Sequence, residues 1–269
     1  AAGICGSDIP RICQTGAHIH PLIPGHEFSG VVEELGAGVD QSWLGQRVGV
    51  FPLIPCQACG PCRNRQYEMC RNYSYLGSRR DGGFAEYAAV PVWNLLRLPK
   101  AVAFEEAAML EPMSVAVHAM RRVHPSAEDT AVVCGLGTIG MLLVMFLKAA
   151  GISKLLLIGN KESRRKAAVK LGFAEEDYCD SRKEDAAAWI FEHTEGRGAD
   201  IFFECVGKRE TYELAAETAA PAGKVLLAGN PYSDMMLRKE NYWKILRNQL
   251  TVSGTWNSGF FHDPEDDWH

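Results

Sequence analysis

The sequence lacks any apolar run as long as the roughly 18 residues that a membrane-spanning helix needs. Its apolar stretch over residues 131–144 is interrupted by three glycines. Positive charge is not in excess either, because 28 lysines and arginines stand against 33 aspartates and glutamates, a net charge of −5. Since nucleic acid and anionic membranes attract basic surfaces, we expect neither as a partner. A small-molecule ligand is the remaining expectation.

The sequence also lacks an initial methionine and a signal segment with a charged and an apolar region. A chemical motif, GICGSD, begins at the third residue, and the last residues, DPEDDWH, contain no helix stop or closing strand. We therefore expect the chain to be the interior of a longer protein, truncated at both ends. Its 269 residues, 47% of them hydrophobic, are enough for two globular domains.

The sequence contains nine cysteines, an odd number, and four of them fall within fifteen residues. A secreted disulfide scaffold would be shorter and more evenly rich in cysteine. We therefore expect a reducing compartment, the cytoplasm, with metal-bound thiolates.

The pattern of apolar residues along the chain changes near Pro99. Before it, short runs of alternating or β-branched residues predict a β-rich half with strands over 29–35, 47–50, 84–90 and 95–98. After it, a helix is predicted over 104–122, and apolar runs then alternate with helical segments. The predicted strands cover 131–134, 154–158, 200–205 and 224–228, and the predicted helices 139–150, 161–171, 183–194 and 209–219. This alternation indicates an α/β domain with a doubly wound parallel sheet, and we place the domain boundary between Arg97 and Val115.

Four cysteines follow the pattern C-x2-C-x2-C-x7-C, at Cys56, Cys59, Cys62 and Cys70. Four thiolates from one looped segment can complete a tetrahedral zinc shell that leaves no position for water, which is typical of structural zinc. A bacterial ferredoxin cluster would need its fourth cysteine four residues after the third. Four thiols without a metal are disfavoured in so polar a loop. A DNA-binding zinc finger is opposed by the acidic charge.

A second set of possible ligands comes from distant segments: Cys5 in GICGSD, His26 and Glu27 in PGHEFSG, and Glu111 in LEP. A thiolate, an imidazole and a carboxylate would leave a fourth position on a metal open, as a catalytic site requires. Each residue also has an ordinary interpretation, a structural histidine or a solvated glutamate. The apolar, glycine-flanked settings favour ligands, because burying an unpaired carboxylate is costly. The spacing alone leaves both interpretations open.

The segment VVCGLGTIG places glycines after an apolar strand and at the start of a helix. In this context G-x-G-x-x-G is the dinucleotide-binding fingerprint, in which the helix N-terminus meets the phosphates. The predicted cofactor-binding residues here are Gly135, Gly137, Thr138, Ile139 and Gly140. Val206 and Gly229 are also predicted to bind the cofactor.

Selectivity for the adenosine ribose is expected at the end of the next strand, about twenty residues further on. Gly159 stands where a carboxylate would bind the ribose hydroxyls of NAD, and Asn160, Lys161 and Arg164 follow it. The missing acid and the nearby cations favour a 2′-phosphate, so we predict NADP in preference to NAD. In the alternative, the cations only coat a solvated helix and Glu162 supplies the missing acidity.

Taken together, the motifs resemble the zinc-dependent medium-chain alcohol and polyol dehydrogenases over nearly the whole chain. The motifs occur in the order that is typical of this family: GICGSD, PGHEFSG, the four-cysteine segment, GGFAEY at residues 82–87, LEP at residues 110–112 and GLGTIG. The resemblance implies a GroES-like catalytic domain over 1–114, with a zinc lobe at 56–70. It also implies a Rossmann dinucleotide-binding domain over 115–255 and the start of a return to the catalytic domain over 256–269.

The resemblance assigns roles to the second ligand set. Cys5 and His26 ligate a catalytic zinc, and Glu27 and Glu111 supply its carboxylate. The sequence does not decide which of the two glutamates binds the zinc directly. Asp8 orients the ligating imidazole. Ser7 bonds the reacting alcohol and starts the proton relay, and the alcohol then gives a hydride to NAD(P).

The resemblance is strongest to family members that act on a sugar-alcohol phosphate, carried by CGSDIPRICQTGAH and GSRRDGGFAEY. A phosphorylated substrate needs a cation, and Arg11, Arg79 and Arg80 are the candidates. The alternatives are a sorbitol- or threonine-type dehydrogenase of an unphosphorylated alcohol, and an inactive zinc-binding scaffold. The expected assembly is a homodimer or homotetramer.

Overall fold

The structure is a computed structural model that describes all 269 residues. It divides the chain into two compact units. The first combines Ala1–Ser114 with Asn257–His269, and the second is Val115–Trp256. No helix is both long enough and apolar enough to span a membrane.

The first unit contains two small antiparallel sheets. The four-stranded sheet has the order β1-β2-β3-β6, and β4 pairs with β5 in a ribbon. The strands are β1 (Ala2–Gly3), β2 (Glu27–Val31), β3 (Arg47–Val50), β4 (Leu53–Ile54), β5 (Ser74–Tyr75) and β6 (Leu95–Arg97). Its helices are α1 (Asp8–Cys13), α2 (Gly60–Arg63) and α3 (Phe104–Ala108), and α4 (Leu110–Val123) contains the division between the units.

Two features of this unit differ from the prediction. Residues 84–90 are not a strand, because the N–H groups of residues 82–84 donate to carbonyls of the loop at 23–25, and residues 85–89 are exposed. The helix predicted over 104–122 is two helices that break at Met109. Pro112 lacks the N–H that a continuous helix would donate to Ala108, and proline is tolerated in the first turn of α4.

The second unit is a six-stranded parallel sheet with the order β12-β11-β10-β7-β8-β9, flanked by helices. This is the strand order of a Rossmann domain, with the change of direction between β7 and β10. Its strands are β7 (Thr130–Cys134), β8 (Lys154–Gly159), β9 (Tyr178–Asp180), β10 (Ala199–Glu204), β11 (Ala219–Leu227) and β12 (Thr251–Gly254). Its helices after α4 are α5 (Thr138–Ala149), α6 (Glu162–Lys170), α7 (Ala186–His193), α8 (Arg209–Thr218) and α9 (Lys239–Arg247).

The four strands predicted for this unit are confirmed as β7, β8, β10 and β11, and the four helices as α5, α6, α7 and α8. Strand β7 is buried at all five positions, which explains why its sequence is a continuous apolar run. Helix α7 begins at Ala186 rather than Lys183, because Asp185 caps it and accepts from the N–H groups of Ala187 and Ala188. Strand β11 begins earlier than predicted. The edge strands β9 and β12, of three and four residues, and helix α9 were not predicted.

Candidate active site

The four clustered cysteines converge in the first unit. Their sulfur atoms all lie within 4.8 Å of one another, and Cys59 Sγ is 3.4 Å from Cys62 Sγ and 3.9 Å from Cys70 Sγ. Thiolates 2.3 Å from a tetrahedral zinc would be separated by about 3.8 Å, so these distances match a zinc shell. They are too long for a disulfide, and all nine cysteines are free thiols.

The backbone around the lobe favours thiolates. N–H groups of Arg71 and Cys62 donate to Cys59 and lower the pKa of its thiol to about 6. N–H groups of Ala58 and Cys59 likewise lower the pKa of Cys56. Burial and the neighbouring thiols Cys59 and Cys70 raise the pKa of Cys62 to about 12, so this thiol would lose its proton only on binding the metal. Thiolates are the form that ligates a metal, and the backbone donors at Cys56 and Cys59 favour that form.

Cys5, His26 and Glu27 also converge in the first unit, with their ligand atoms within 4.8 Å of one another. Glu27 begins β2 and pairs in register with Gly3 of β1, which brings the segment of Cys5 beside it. A Cβ atom on Gly3 would meet Glu27 Oε2, so the glycine leaves the Glu27 carboxylate its present position. Two antiparallel strands thus bring two distant segments, and with them these three residues, around one point.

Asp8 lies behind His26 and is fully buried. Its Oδ1 atom is 3.5 Å from His26 Nδ1 and accepts a hydrogen bond of 2.6 Å from Arg11, and its Oδ2 atom accepts the N–H of Cys5 at 3.1 Å. His26 Nδ1 has no hydrogen-bond partner. Because Asp8 faces Nδ1, the Nε2 atom of His26 is the one directed to a ligand. Ser7 Oγ lies 3.4 Å from Cys5 Sγ, beside the same set.

Glu111 lies close to this set but is not among its convergent atoms. Its Oε1 atom accepts a 3.0 Å hydrogen bond from the hydroxyl of Tyr75, whose ring packs edge-on against His26 at 5.7 Å. Burial and the charge of Glu111 raise the pKa of Tyr75 well above its usual value, so the Tyr75 hydroxyl keeps its proton and donates the hydrogen bond to Glu111. Tyr75 was not among the predicted site residues, and no motif in the sequence indicates it.

The electrostatics of this set favour a cation at its centre. Burial alone would lower the pKa of His26, but the Asp8 carboxylate, the Cys5 thiol and Glu111 together raise it to about 10. Burial raises the pKa of Glu27, and burial with the charge of Glu27 raises the pKa of Glu111 to about 7. Acidic groups around one imidazole stabilise positive charge, so a divalent metal fits the site.

The three candidate arginines lie in different surroundings. Arg11 is mostly buried and pairs with Asp8 beside the ligand set. Arg79 stacks on Tyr73, with its Cζ atom 4.2 Å from the ring centroid, and donates to the Tyr73 carbonyl. Arg80 is exposed and forms no ion pair. Arg11 is therefore the candidate that the structure brings to the ligand set.

The glycine loop of the second unit has the geometry of a dinucleotide site. Gly135 follows β7 with a φ of +98°, a conformation that favours glycine. A Cβ on Gly140, in the first turn of α5, would collide with the Gly135 carbonyl. A Cβ on Gly137 would meet no atom within 4 Å, so the backbone is open to a ligand there. Thr138 and Ile139 begin α5, whose N-terminus faces this opening.

The end of β8 is shaped by Tyr178, which was not among the predicted site residues. A Cβ on Gly159 would lie 2.6 Å from the Tyr178 hydroxyl oxygen, and that hydroxyl donates to the Lys161 carbonyl at 3.3 Å. The tyrosine therefore occupies the volume of a side chain at position 159. Asn160, Lys161 and Arg164 are exposed beside it.

Comparison with known proteins matches the chain to two family models. The model for the alcohol dehydrogenase GroES-like domain matches residues 1–100, and the model for zinc-binding dehydrogenases matches residues 138–268. The galactitol 1-phosphate 5-dehydrogenase of Escherichia coli (strain K12) is 36% identical over 268 residues, which make up 100% of this chain and 77% of that protein.

Solved structures give the same result. The crystal structure of galactitol-1-phosphate dehydrogenase from Escherichia coli matches 99% of this chain and 77% of its own with a TM-score of 0.89 and 35% identity. A zinc-binding dehydrogenase from Sinorhizobium meliloti 1021, crystallised bound to NADP, matches 97% of this chain and 76% of its own with a TM-score of 0.90 and 30% identity.

The chain therefore belongs to the zinc-binding, medium-chain alcohol dehydrogenases with a GroES-like domain, a family of oxidoreductases. This confirms the resemblance and the fold class that the motifs predicted. Among the relatives, it is similar over its full length to galactitol 1-phosphate 5-dehydrogenase.

Proposed function

We propose that the chain oxidises a secondary alcohol of a polyol or polyol phosphate, of the galactitol 1-phosphate type, to a ketone. The hydride passes to NAD(P)+ and one proton is released. The convergence of Cys5, His26 and Glu27 within 4.8 Å carries this proposal, because three protein ligands with one open position are what an alcohol-activating zinc site requires. An inactive scaffold would have no physical need for such an open site.

Zinc bound by these three residues would act as a Lewis acid toward the substrate hydroxyl. The chain's own residues hold and move the proton. The Ser7 hydroxyl, next to Cys5, accepts the proton of the alcohol and passes it outward. The Asp8 carboxylate, 3.5 Å from His26 Nδ1, orients the His26 ring through its charge, and Tyr75 holds the Glu111 carboxylate by a hydrogen bond. Glu27 is the proposed direct zinc ligand, and Glu111 is a second carboxylate close to the ligand set.

Arg11 supports a phosphorylated substrate. Its guanidinium uses one nitrogen on Asp8 and keeps further N–H donors for an anion. We expect kcat/KM for galactitol 1-phosphate to exceed that for sorbitol or threonine by about 100-fold or more, since a site built for a charged group rejects analogues that lack it. Initial-rate kinetics with each alcohol, and with NAD+ and NADP+ in turn, test the proposal. Oxidation of sorbitol or threonine in preference would favour the unphosphorylated alternative, and no oxidation of any of them would contradict the proposal.

The preference for NADP rests on the end of β8. Tyr178 leaves no room at Gly159 for the carboxylate that would select NAD. Glu162, the acid that could replace it, is held by Arg165 through hydrogen bonds of 3.0 and 2.7 Å. Lys161 and Arg164 form no ion pair and remain available to a 2′-phosphate.

Replacing both Lys161 and Arg164 with alanine is expected to raise the Kd for NADPH about tenfold or more, because charge-assisted hydrogen bonds contribute about 1.5–3 kcal/mol each. The Kd for NADH should stay within about twofold. Fluorescence titration with both nucleotides measures this. Lys170→Ala, in the last turn of the same helix, is the matched control. Equal weakening of NADH and NADPH binding would contradict a 2′-phosphate contact.

The proposal includes a location in the cytoplasm and assembly into a homo-oligomer. A cytoplasmic location agrees with nine free thiols. A homodimer or homotetramer agrees with the edge position of β12 and with three exposed apolar side chains on α9, Tyr242, Trp243 and Leu246.

A further inference from the structure

Glu204 is a buried carboxylate that the proposed chemistry does not use. It is the last residue of β10 and is only 1% exposed. It forms no ion pair with any cation of the chain. Burying an ionised carboxylate without a cation is costly unless hydrogen bonds replace its hydration. The donors that surround Glu204 therefore indicate what the residue holds in place.

Three donors converge on one oxygen of this side chain. Glu204 Oε1 accepts the N–H groups of Val206 at 2.8 Å and Gly207 at 2.9 Å, and the Thr211 hydroxyl at 2.8 Å. Thr211 lies in the first turn of α8, so the negative charge is placed at the positive end of that helix. The carboxylate fixes the turn from β10 into α8.

The backbone of Glu204 fixes the neighbouring strand end. Its carbonyl accepts the N–H groups of Ala228 at 2.8 Å and Gly229 at 2.9 Å, just after β11. Gly207 packs so closely on the Asn230 backbone that a Cβ would collide with it. Two loops at the carboxyl ends of β10 and β11 are thus held together through one residue.

The turn also reaches the glycine loop. A Cβ on Gly135 would lie 2.6 Å from Val206 Cγ2, so the Val206 side chain packs directly against the first glycine of the loop. The N–H of Cys205 donates to the Cys134 carbonyl at 2.9 Å. This contact lies between β7 and β10, where the strand order changes direction and where such sheets bind dinucleotides.

We propose that Glu204 is a positioning residue for the nicotinamide dinucleotide. Its carboxylate holds the Val206–Gly207 turn against Gly135 and keeps the wall of the cofactor crevice in its binding shape. This inference rests on the proposed function, because it requires that the chain bind NADH or NADPH. Glu204 itself does not contact the reacting atoms.

Glu204→Gln tests this, because glutamine keeps the size of the side chain and removes its charge. We expect the Kd for NADPH, measured by fluorescence titration, to rise about tenfold, since bonds to a charged acceptor are the stronger ones. KM for the cofactor should rise with it, whereas KM for the alcohol and the zinc content should not change.

Glu213→Gln is the matched control. Glu213 is a buried carboxylate of the same unit, but it pairs with Arg238 and Arg209 and not with Gly135 or the Val206–Gly207 turn. We expect the Glu213→Gln protein to bind NADPH with a Kd within about twofold of that of the unsubstituted protein. This should hold even if the substitution lowers the melting temperature as much as Glu204→Gln does.

If Glu204→Gln does not fold, Thr211→Val carries the test, because it removes one donor and keeps the shape of the side chain. Weaker NADPH binding by Thr211→Val and recovery in Thr211→Ser would support the proposal. Unchanged nucleotide binding by Glu204→Gln, or by Thr211→Val in its place, would overturn it. If the original chain binds neither NADH nor NADPH, the proposed function fails and this inference fails with it, a result that differs from unchanged binding in the variants.

Discussion

Cys5→Ala is expected to lower kcat by at least about 1,000-fold and to reduce the zinc content from about two ions per chain to about one. Cys5 is one of three residues whose ligand atoms converge, and two remaining ligands hold zinc poorly. The size of the rate loss follows from the Lewis acid, which contributes several kcal/mol to the reaction, with about 1.4 kcal/mol for each factor of ten. Steady-state kinetics and metal analysis of the purified protein measure the two effects.

Two further variants make this result specific. Ser7→Ala removes the hydroxyl 3.4 Å from the Cys5 sulfur, so we expect it to damage turnover while both zinc ions remain. Cys13→Ala removes an exposed thiol at the end of α1, outside both ligand sets, and should change neither activity nor zinc content. A Cys5→Ala protein that keeps two zinc ions and normal turnover would show that this set does not bind the catalytic metal. A fully active Ser7→Ala protein would remove Ser7 from the proton path.

The parts of this protein that could be predicted from sequence are those in which local chemistry dictates structure. The run TAVVC is buried at every position of β7. Of the glycines that follow it, Gly135 has a left-handed backbone and Gly140 packs closely against the Gly135 carbonyl. The spacing of Cys56, Cys59, Cys62 and Cys70 requires only one loop to close on itself. In each case the residues that interact are near one another in the chain.

The parts that could not be predicted depend on contacts between distant segments. The sequence did not rank Glu27 and Glu111. The structure adds a hydrogen bond to Glu111 from Tyr75, 36 residues away, which no local pattern indicates. The sequence showed that an acid is missing at position 159, where Gly159 stands. It did not show that the ring of Tyr178, on the next strand, occupies the space that a side chain there would need. The strand predicted over 84–90 failed for the same reason, since the backbone before it bonds to the loop at 23–25.

The zinc lobe is expected to carry more of the stability of the first unit than its length suggests. Arg65 of the lobe donates to the Phe261 carbonyl at 3.2 Å and stacks on the Phe261 ring, and Tyr67 packs edge-on against Trp93. These contacts join the lobe to an aromatic core that contains Phe51, Phe260 and Trp268. Losing the lobe would therefore loosen the segment Asn257–His269 as well.

Cys62→Ser is expected to remove the structural zinc and to lower the apparent melting temperature by about 10 °C or more. Cys62 is the buried thiol closest to Cys59, and a structural metal contributes its binding free energy to folding. A loss of about 4 kcal/mol corresponds to this shift at roughly 2–4 °C per kcal/mol. Differential scanning calorimetry with zinc analysis measures both, and tryptophan fluorescence reports the loosening around Trp93 and Trp268.

Cys13→Ser is the control, since it makes the same chemical change at an exposed position. The two zinc sites can be distinguished because Cys62→Ser and Cys5→Ala each leave about one zinc ion, whereas only the first is expected to lose much stability. A closed shell of four thiolates joins parts of one loop, while the open set of Cys5, His26 and Glu27 lies beside β1 and β2, which are joined by backbone pairing. Equal destabilisation by both variants would show that the second set is also a structural site, and a Cys62→Ser protein with two zinc ions and an unchanged melting temperature would remove zinc from the lobe.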